Sequence, residues 1–193
     1  MPVEQNRLSP KVKEIVESIS RDRLGLQEAV RDLAPKQTDF RPEPCSWSID
    51  DVLHHLALAE EASAKLMAFF RERALKESIG PDPEPGQSVL RSIDSFFEGV
   101  DGADDRKAPA PDRVTPRSRV EAPLALARLD SARSRILENL ESLSGLDGAK
   151  LMYPHPFFGE LDLYQWLLIG AWHERRHTRQ IERIKGDSRF PDP

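Results

Sequence analysis

Between Leu161 and Lys185 the residues Trp166, Gly170, His173, His177, Ile181 and Ile184 follow one another at steps of four, three, four, four and three. Only a helix brings such steps onto one face, because its period is 3.6 residues. A helix with one apolar stripe must bury it against other elements. The spacing recurs along the chain. Ser9-Pro10 opens a first helix, with serine as N-cap and proline at the first helical position. Val12, Ile15, Val16, Ile19, Leu24, Leu26, Val30 and Leu33 carry it to Pro35. Ser48-Ile49-Asp50-Asp51 reads as a capping box, with Trp47 placed to staple against Val52. From there Val52, His55/Leu56, Ala59, Ala62/Ser63, Leu66 and Phe69/Phe70 predict a second helix to about Lys76. A third runs from about Glu121 to Leu143, on Leu126, Leu129, Ile136, Leu137 and Leu140, until Gly145 breaks it. Gly186 ends the fourth.

The connections are long. Residues 34–46 hold Pro35, Pro42 and Pro44, and Gly80-Pro81-Asp82-Pro83-Glu84-Pro85-Gly86 excludes a helix. Ser88 to Val100 is expected to form a short helix around Val89, Ile93, Phe96 and Phe97. Asp101 to Pro116 is expected to be a mobile connection and residues 145–160 a loop. With no alternating strand pattern, these elements predict an all-α four-helix bundle with long connections. One domain is expected over residues 1–193, with the bundle at about 9–186 and a Pro-rich insertion at about 78–120.

Composition narrows the function. The formal net charge of -5 argues against a general phosphate-binding surface, so no nucleic-acid partner is expected. Cys45 is the single cysteine, which excludes an intrachain disulfide; a Cys45 nucleophile is the weaker alternative. Residues 1–6 lack the apolar core of a signal peptide, and the apolar run from Trp166 to Trp172 is too short for a bilayer. A cytoplasmic protein with no membrane partner is the expectation.

Three histidines carry the chemistry. His173 and His177 are spaced i,i+4, so both imidazoles leave one helix face a turn apart. His55 sits on the stripe of the second helix, and His54 is rotated by about 100° from it, toward Asp51, Glu61 and Lys65. A lone histidine on an apolar face is most simply a core residue. Burying three without partners costs several kcal/mol of unmet hydrogen bonding, and one shared divalent metal would satisfy them. Three protein ligands leave an open coordination position, as catalytic sites do.

His173-Glu174-Arg175-Arg176-His177 also fits the H-E-x-x-H pattern of zinc peptidases. The extended form of that pattern would need Gly at 180 and His at 183, where this chain has Gln180 and Arg183. Glu174 lies one residue off the histidine stripe and reads as a solvated helix residue, as does the run Glu174, Arg175, Arg176, Arg179, Arg183. Those arginines could also meet an anionic substrate or a partner chain. His155, between two prolines, is a candidate fourth ligand or acid/base, or simply an exposed loop residue.

The segment Trp47-Ser48…His55-Leu56 resembles the signature of DinB/YfiT-like proteins. So do Phe157-Phe158-Gly159-Glu160-Leu161 and His173-x-x-x-His177-Thr178-x-Gln180-Ile181, and the likeness spans about residues 10–185. It implies a four-helix bundle with a three-histidine metal site, often zinc or nickel, whose ligands match His55, His173 and His177. The histidine of this segment is usually followed by leucine, which favours His55 over His54. Some relatives use low-molecular-weight thiols; others are named only as candidate metal-dependent hydrolases. The Pro-rich insertion at 78–116 departs from the plainest members and leaves the substrate open. The expectation is a metal-dependent enzyme in which activated water or thiol attacks a small electrophilic substrate, as hydrolase or thiol S-transferase. The alternatives are a non-catalytic bundle that binds metal or a small ligand, and a bundle whose histidines are core polar groups. A homodimer through helix faces is compatible with either.

Overall fold

The computed structural model describes residues 8–97 and 110–193. Its helices are α1 (Pro10–Ala29), a four-residue α2 (Pro35–Thr38), α3 (Ile49–Lys76), α4 (Ala122–Leu143) and α5 (Leu163–Lys185). The four long helices form the expected bundle. The α5 helix packs on both α1 and α3, and α3 packs on α4. The N-terminal signals act as the residues suggest. Ser9 Oγ accepts from the Val12 N–H at 3.4 Å, and Ser48 and Asp51 cap each other reciprocally. The α5 helix begins two residues later than expected, because Asp162 is its N-cap and accepts from the Gln165 N–H at 2.8 Å.

The core has two parts. Ile15, Met67, Phe70, Leu140 and Leu163 are fully buried in one; Leu26, Ile49, Leu53, Leu129 and Ile181 in the other. Each such side chain contributes about 1.5–3 kcal/mol by leaving water. A charged layer lies at the boundary. Along each long helix one ion sits between the two clusters: Arg23 on α1, Glu60 on α3, Arg133 on α4 and Glu174 on α5. Arg23 binds Glu174 at 2.7 Å and also pairs with Glu60 and Asp130. Arg133 binds Glu174 at 3.0 Å, pairs with Glu60, and donates to the Ile19 carbonyl at 3.0 Å. Burial raises the Glu60 carboxyl against the pull of Arg133 and Arg23. Burial opposes the Arg23 charge, but its bonds to Glu174 and Glu60 outweigh it and raise its pKa. Such a layer fixes which helices face one another, since a misplaced helix would strand a buried charge.

The connections depart most from expectation. Residues 145–160 are more than a loop: β1 (Tyr153–His155) and β2 (Gly159–Leu161) form an antiparallel hairpin, so a small strand pair was missed. Gly159 takes a positive φ of 73° there, which suits glycine. Residues 88–97 hold only turns and a 3₁₀ turn at Asp94–Phe96, and the remainder of the helix expected over 88–100 lies outside the described residues. Most of the expected mobile connection, 101–109, also lies outside them. The rest of it, around the 3₁₀ turn Asp112–Val114, packs on α3. Among the described residues no helix is long and apolar enough to cross a membrane.

Candidate metal centre

The centre is built by one turn of α3, two turns of α5 and the strap at 111–118. Asp50, in the first turn of α3, is buried and accepts from the Ala122 N–H at 2.9 Å and from Arg119 at 3.2 Å. It thereby holds the strap's end and the start of α4 to α3. The strap then supplies two carbonyls. His55 Nδ1–H donates to the Val114 carbonyl at 2.8 Å, and His54 Nδ1–H donates to the Ser118 carbonyl at 3.1 Å. The two adjacent histidines therefore have different fates. His54 is buried against the strap, rather than turned toward Glu61 and Lys65. His55 turns to α5.

There it meets His173 and His177. The Nε2 atoms of His55 and His173 are 3.0 Å apart, and those of His177 and His173 are 3.1 Å apart. One nitrogen from each ring lies within 4.8 Å of the others, so the three sequence-derived candidates come together. On the far side of its ring His177 Nδ1–H donates to Gln180 Oε1 at 2.8 Å. Trp47 covers the pair, its ring 4.9 Å from His55 and 6.2 Å from His177.

The proton count fits a cation. A carbonyl or amide oxygen can only accept, so His55 and His177 carry their protons on Nδ1 and present bare Nε2 lone pairs. With neutral rings at most one proton, from His173, lies among three converging Nε2 atoms, so at least one lone pair has no hydrogen to face. A divalent ion would satisfy all three, and the carbonyl behind His55 and the amide behind His177 are of the kind that metal-binding histidines carry as outer partners. Two nitrogens about 2.0–2.1 Å from a tetrahedral ion stand about 3.3 Å apart, close to the spacings here. The rings also resist protonation. Burial, then His55 and the nearby arginines, brings the pKa of His177 down to about 3. Burial lowers His55, and burial with its two histidine neighbours holds His173 well below its ordinary value.

Other candidates fall elsewhere. Glu174 is buried within the charged layer and is not the solvated residue expected, so it faces away from the histidines as neither ligand nor base. Arg175 does lie outside, paired with Asp22 at 2.9 Å. His155 stands on β1, outside the cluster, its ring 4.7 Å from Trp166 and 4.9 Å from Phe158. Cys45 is exposed at the rim of a cleft of about 1260 Å³ that opens onto His55, His173 and His177. The stripes drawn through Ala59, Ser63 and Leu66 on α3 and through Trp166 and Gly170 on α5 line this cleft; the core takes the neighbouring stripe of Leu167, Ala171 and Glu174. Sequence reasoning missed Val114, Asp50 and the outer role of Gln180. Only Gln180 left a signal, three residues after His177 on one helix.

A bundle of four long helices with three convergent histidines at the foot of a cleft defines a helical protein equipped to hold a metal ion. Residues 18–181 match the family model described as the DinB superfamily, and the chain belongs to that family. The uncharacterized protein YuaE of Bacillus subtilis is similar, at 28% identity over 84% of this chain and 92% of its own length. Two proteins named as candidate metal-dependent hydrolases are similar too. That of Geobacillus kaustophilus is 27% identical, over 83% of this chain and 76% of its own. That of Bacillus mycoides is 25% identical, over 83% and 77%. The crystal structure of TT2238, a four-helix bundle protein, superposes with a TM-score of 0.56 at 22% identity, over 88% of this chain and 95% of that one. This last likeness concerns the fold.

Proposed function

We propose that the protein is a metal-dependent enzyme acting on a small molecule, with His55, His173 and His177 as the ligands and zinc or nickel as the ion. The observation that carries this reading is the convergence of three Nε2 atoms, two of them bare by their outer hydrogen bonds, at a cleft. The names of the Geobacillus and Bacillus relatives support the metal. When bound, the ion supplies Lewis-acid chemistry, lowering the pKa of a water or thiol at its open position so that it attacks a small electrophile. The chain's own part is to orient. Val114 and Gln180 fix the tautomers of His55 and His177, Trp47 shields their rings from water, and the cleft admits the substrate. Activated water would give hydrolysis, and a low-molecular-weight thiol would give S-transfer. The rival is a bundle that binds metal or a small ligand without turnover.

The test compares zinc-loaded and nickel-loaded protein with the His173→Ala variant. Aryl-ester hydrolysis and conjugation of glutathione to 1-chloro-2,4-dinitrobenzene would be followed by absorbance. Turnover that requires added metal and falls to background in the variant is expected. Stoichiometric metal without turnover in either assay would favour the non-catalytic bundle.

A further inference from the structure

The cleft has a character of its own beyond the three histidines. Among the described residues the exposed large apolar side chains Leu24 on α1, Leu75 on α3 and Leu124 on α4 stand on separate helices, but Phe69, Tyr153 and Phe157 share the cleft. Trp166, Phe158 and Trp172 join them there. Their rings touch in series: Phe69 is 5.6 Å from Tyr153, Tyr153 is 6.3 Å from Trp166, and Trp166 is 4.7 Å from His155. An exposed apolar wall of this kind marks a binding surface.

The charges in the cleft oppose those of the chain. The protein carries a formal net charge of -5, yet the described charged residues lining the cleft are Lys65, Arg113 and Arg176 against Asp112 alone. Behind burial, the Arg113 charge helps bring His155 down to about 4. His155 adds a neutral donor. Its Nδ1 accepts from the Phe157 N–H at 3.2 Å, so the ring's one proton is on Nε2. Among the described residues that Nε2–H has no hydrogen-bond partner, and the residue lines the cleft. A donor fixed by the hairpin's own turn, inside an aromatic wall, calls for an acceptor on a ligand.

We propose that the cleft takes a small anionic molecule with a flat apolar body, the body lying on Tyr153, Phe157 and Trp166 and the anionic group held by Arg113 and the Nε2–H of His155. His155 is then neither a fourth ligand nor an acid/base but a specificity-determining donor. A cationic ligand, which aromatic walls otherwise attract, is repelled here by the arginines. This assignment of substrate class rests on the enzymatic reading of the same cleft, but it can be tested without metal.

The chelator-treated full chain would be titrated with phenylacetate, phenylacetamide and acetate by calorimetry at pH 7.5 and low salt, then again with zinc added. Phenylacetate is expected to bind the metal-free chain about tenfold more tightly than either the neutral amide or the ringless acid, as one charge-assisted contact and one apolar body each require. Arg113→Gln should weaken phenylacetate several-fold and leave phenylacetamide unchanged; His155→Phe should weaken both, because an amide oxygen also accepts from the Nε2–H; Arg113→Lys should retain most of the acid preference. Equal binding of acid and amide, no binding of either, or an acid preference untouched by Arg113→Gln would overturn the proposal. Because the first titration contains no metal, a failed metal site would leave its outcome intact. Loss of the acid preference in a chain that still binds zinc would sink the substrate class alone.

Discussion

Acid should unfold the metal-free protein through its clustered histidines, and His177 sets a scale for the effect. Its ordinary pKa of 6.5 applies to the unfolded chain, and the folded value is about 3. The unfolded state therefore binds a proton that the folded state refuses. The stability at stake is fully present above pH 6.5 and is lost as the pH falls toward 3. At pH 5.5, one unit below the unfolded value, protonation favours the unfolded chain by RT ln 11, about 1 kcal/mol; at pH 7.5 the effect is negligible. His177 alone thus accounts for about 1 kcal/mol between these two pH values. His55 and His173 are lowered too and act in the same direction. The assay is urea unfolding of chelator-treated protein at pH 7.5 and 5.5, beside His177→Gln. Wild type should lose stability on acidification, and the variant should lose about 1 kcal/mol less. A free energy that stays flat between the two pH values, or an unchanged loss in the variant, would refute the reasoning.

Two further perturbations test the scaffold around the site. Glu174→Ala leaves Arg23 and Arg133 sharing the single buried carboxylate of Glu60 and should cost about 3–5 kcal/mol in chemical denaturation, while Asp130→Asn, at the exposed edge of the layer, should cost under about 1 kcal/mol. Gly148→Ala would drive a methyl to 2.7 Å from Tyr164 Cζ and 2.8 Å from Leu163 Cδ2, and should lower stability by about 1–3 kcal/mol through strain at the start of α5.

The residues made the bundle legible because its signals are local. Caps at Ser9 and Ser48 and breaks at Gly145 and Gly186 act within a few residues of the chain. The histidines were legible for the same reason, two by an i,i+4 step and one by its stripe. What escaped depends on contacts far apart in sequence. Glu174 looks solvated until Arg23, 151 residues away, is brought against it. The Val114 carbonyl that fixes the His55 tautomer carries no side-chain signal at all, being backbone in a Pro-rich stretch. The stripes were misjudged more subtly. Trp166, Gly170 and His173 do share a face, but that face lines a cleft, and periodicity does not distinguish a cleft wall from a core. The hairpin was hidden because two three-residue strands are too short to show alternation.

The metal content of the protein, purified without a histidine tag and measured by elemental analysis beside His173→Ala and His54→Ala, tests the central claim most directly. About one zinc or nickel ion per chain is expected in the wild type and in His54→Ala, whose ring is bound to the Ser118 carbonyl outside the cluster, with none in His173→Ala. A wild-type protein that holds no ion even after incubation with both metals, or equal loss on changing His54, would contradict the three-histidine centre.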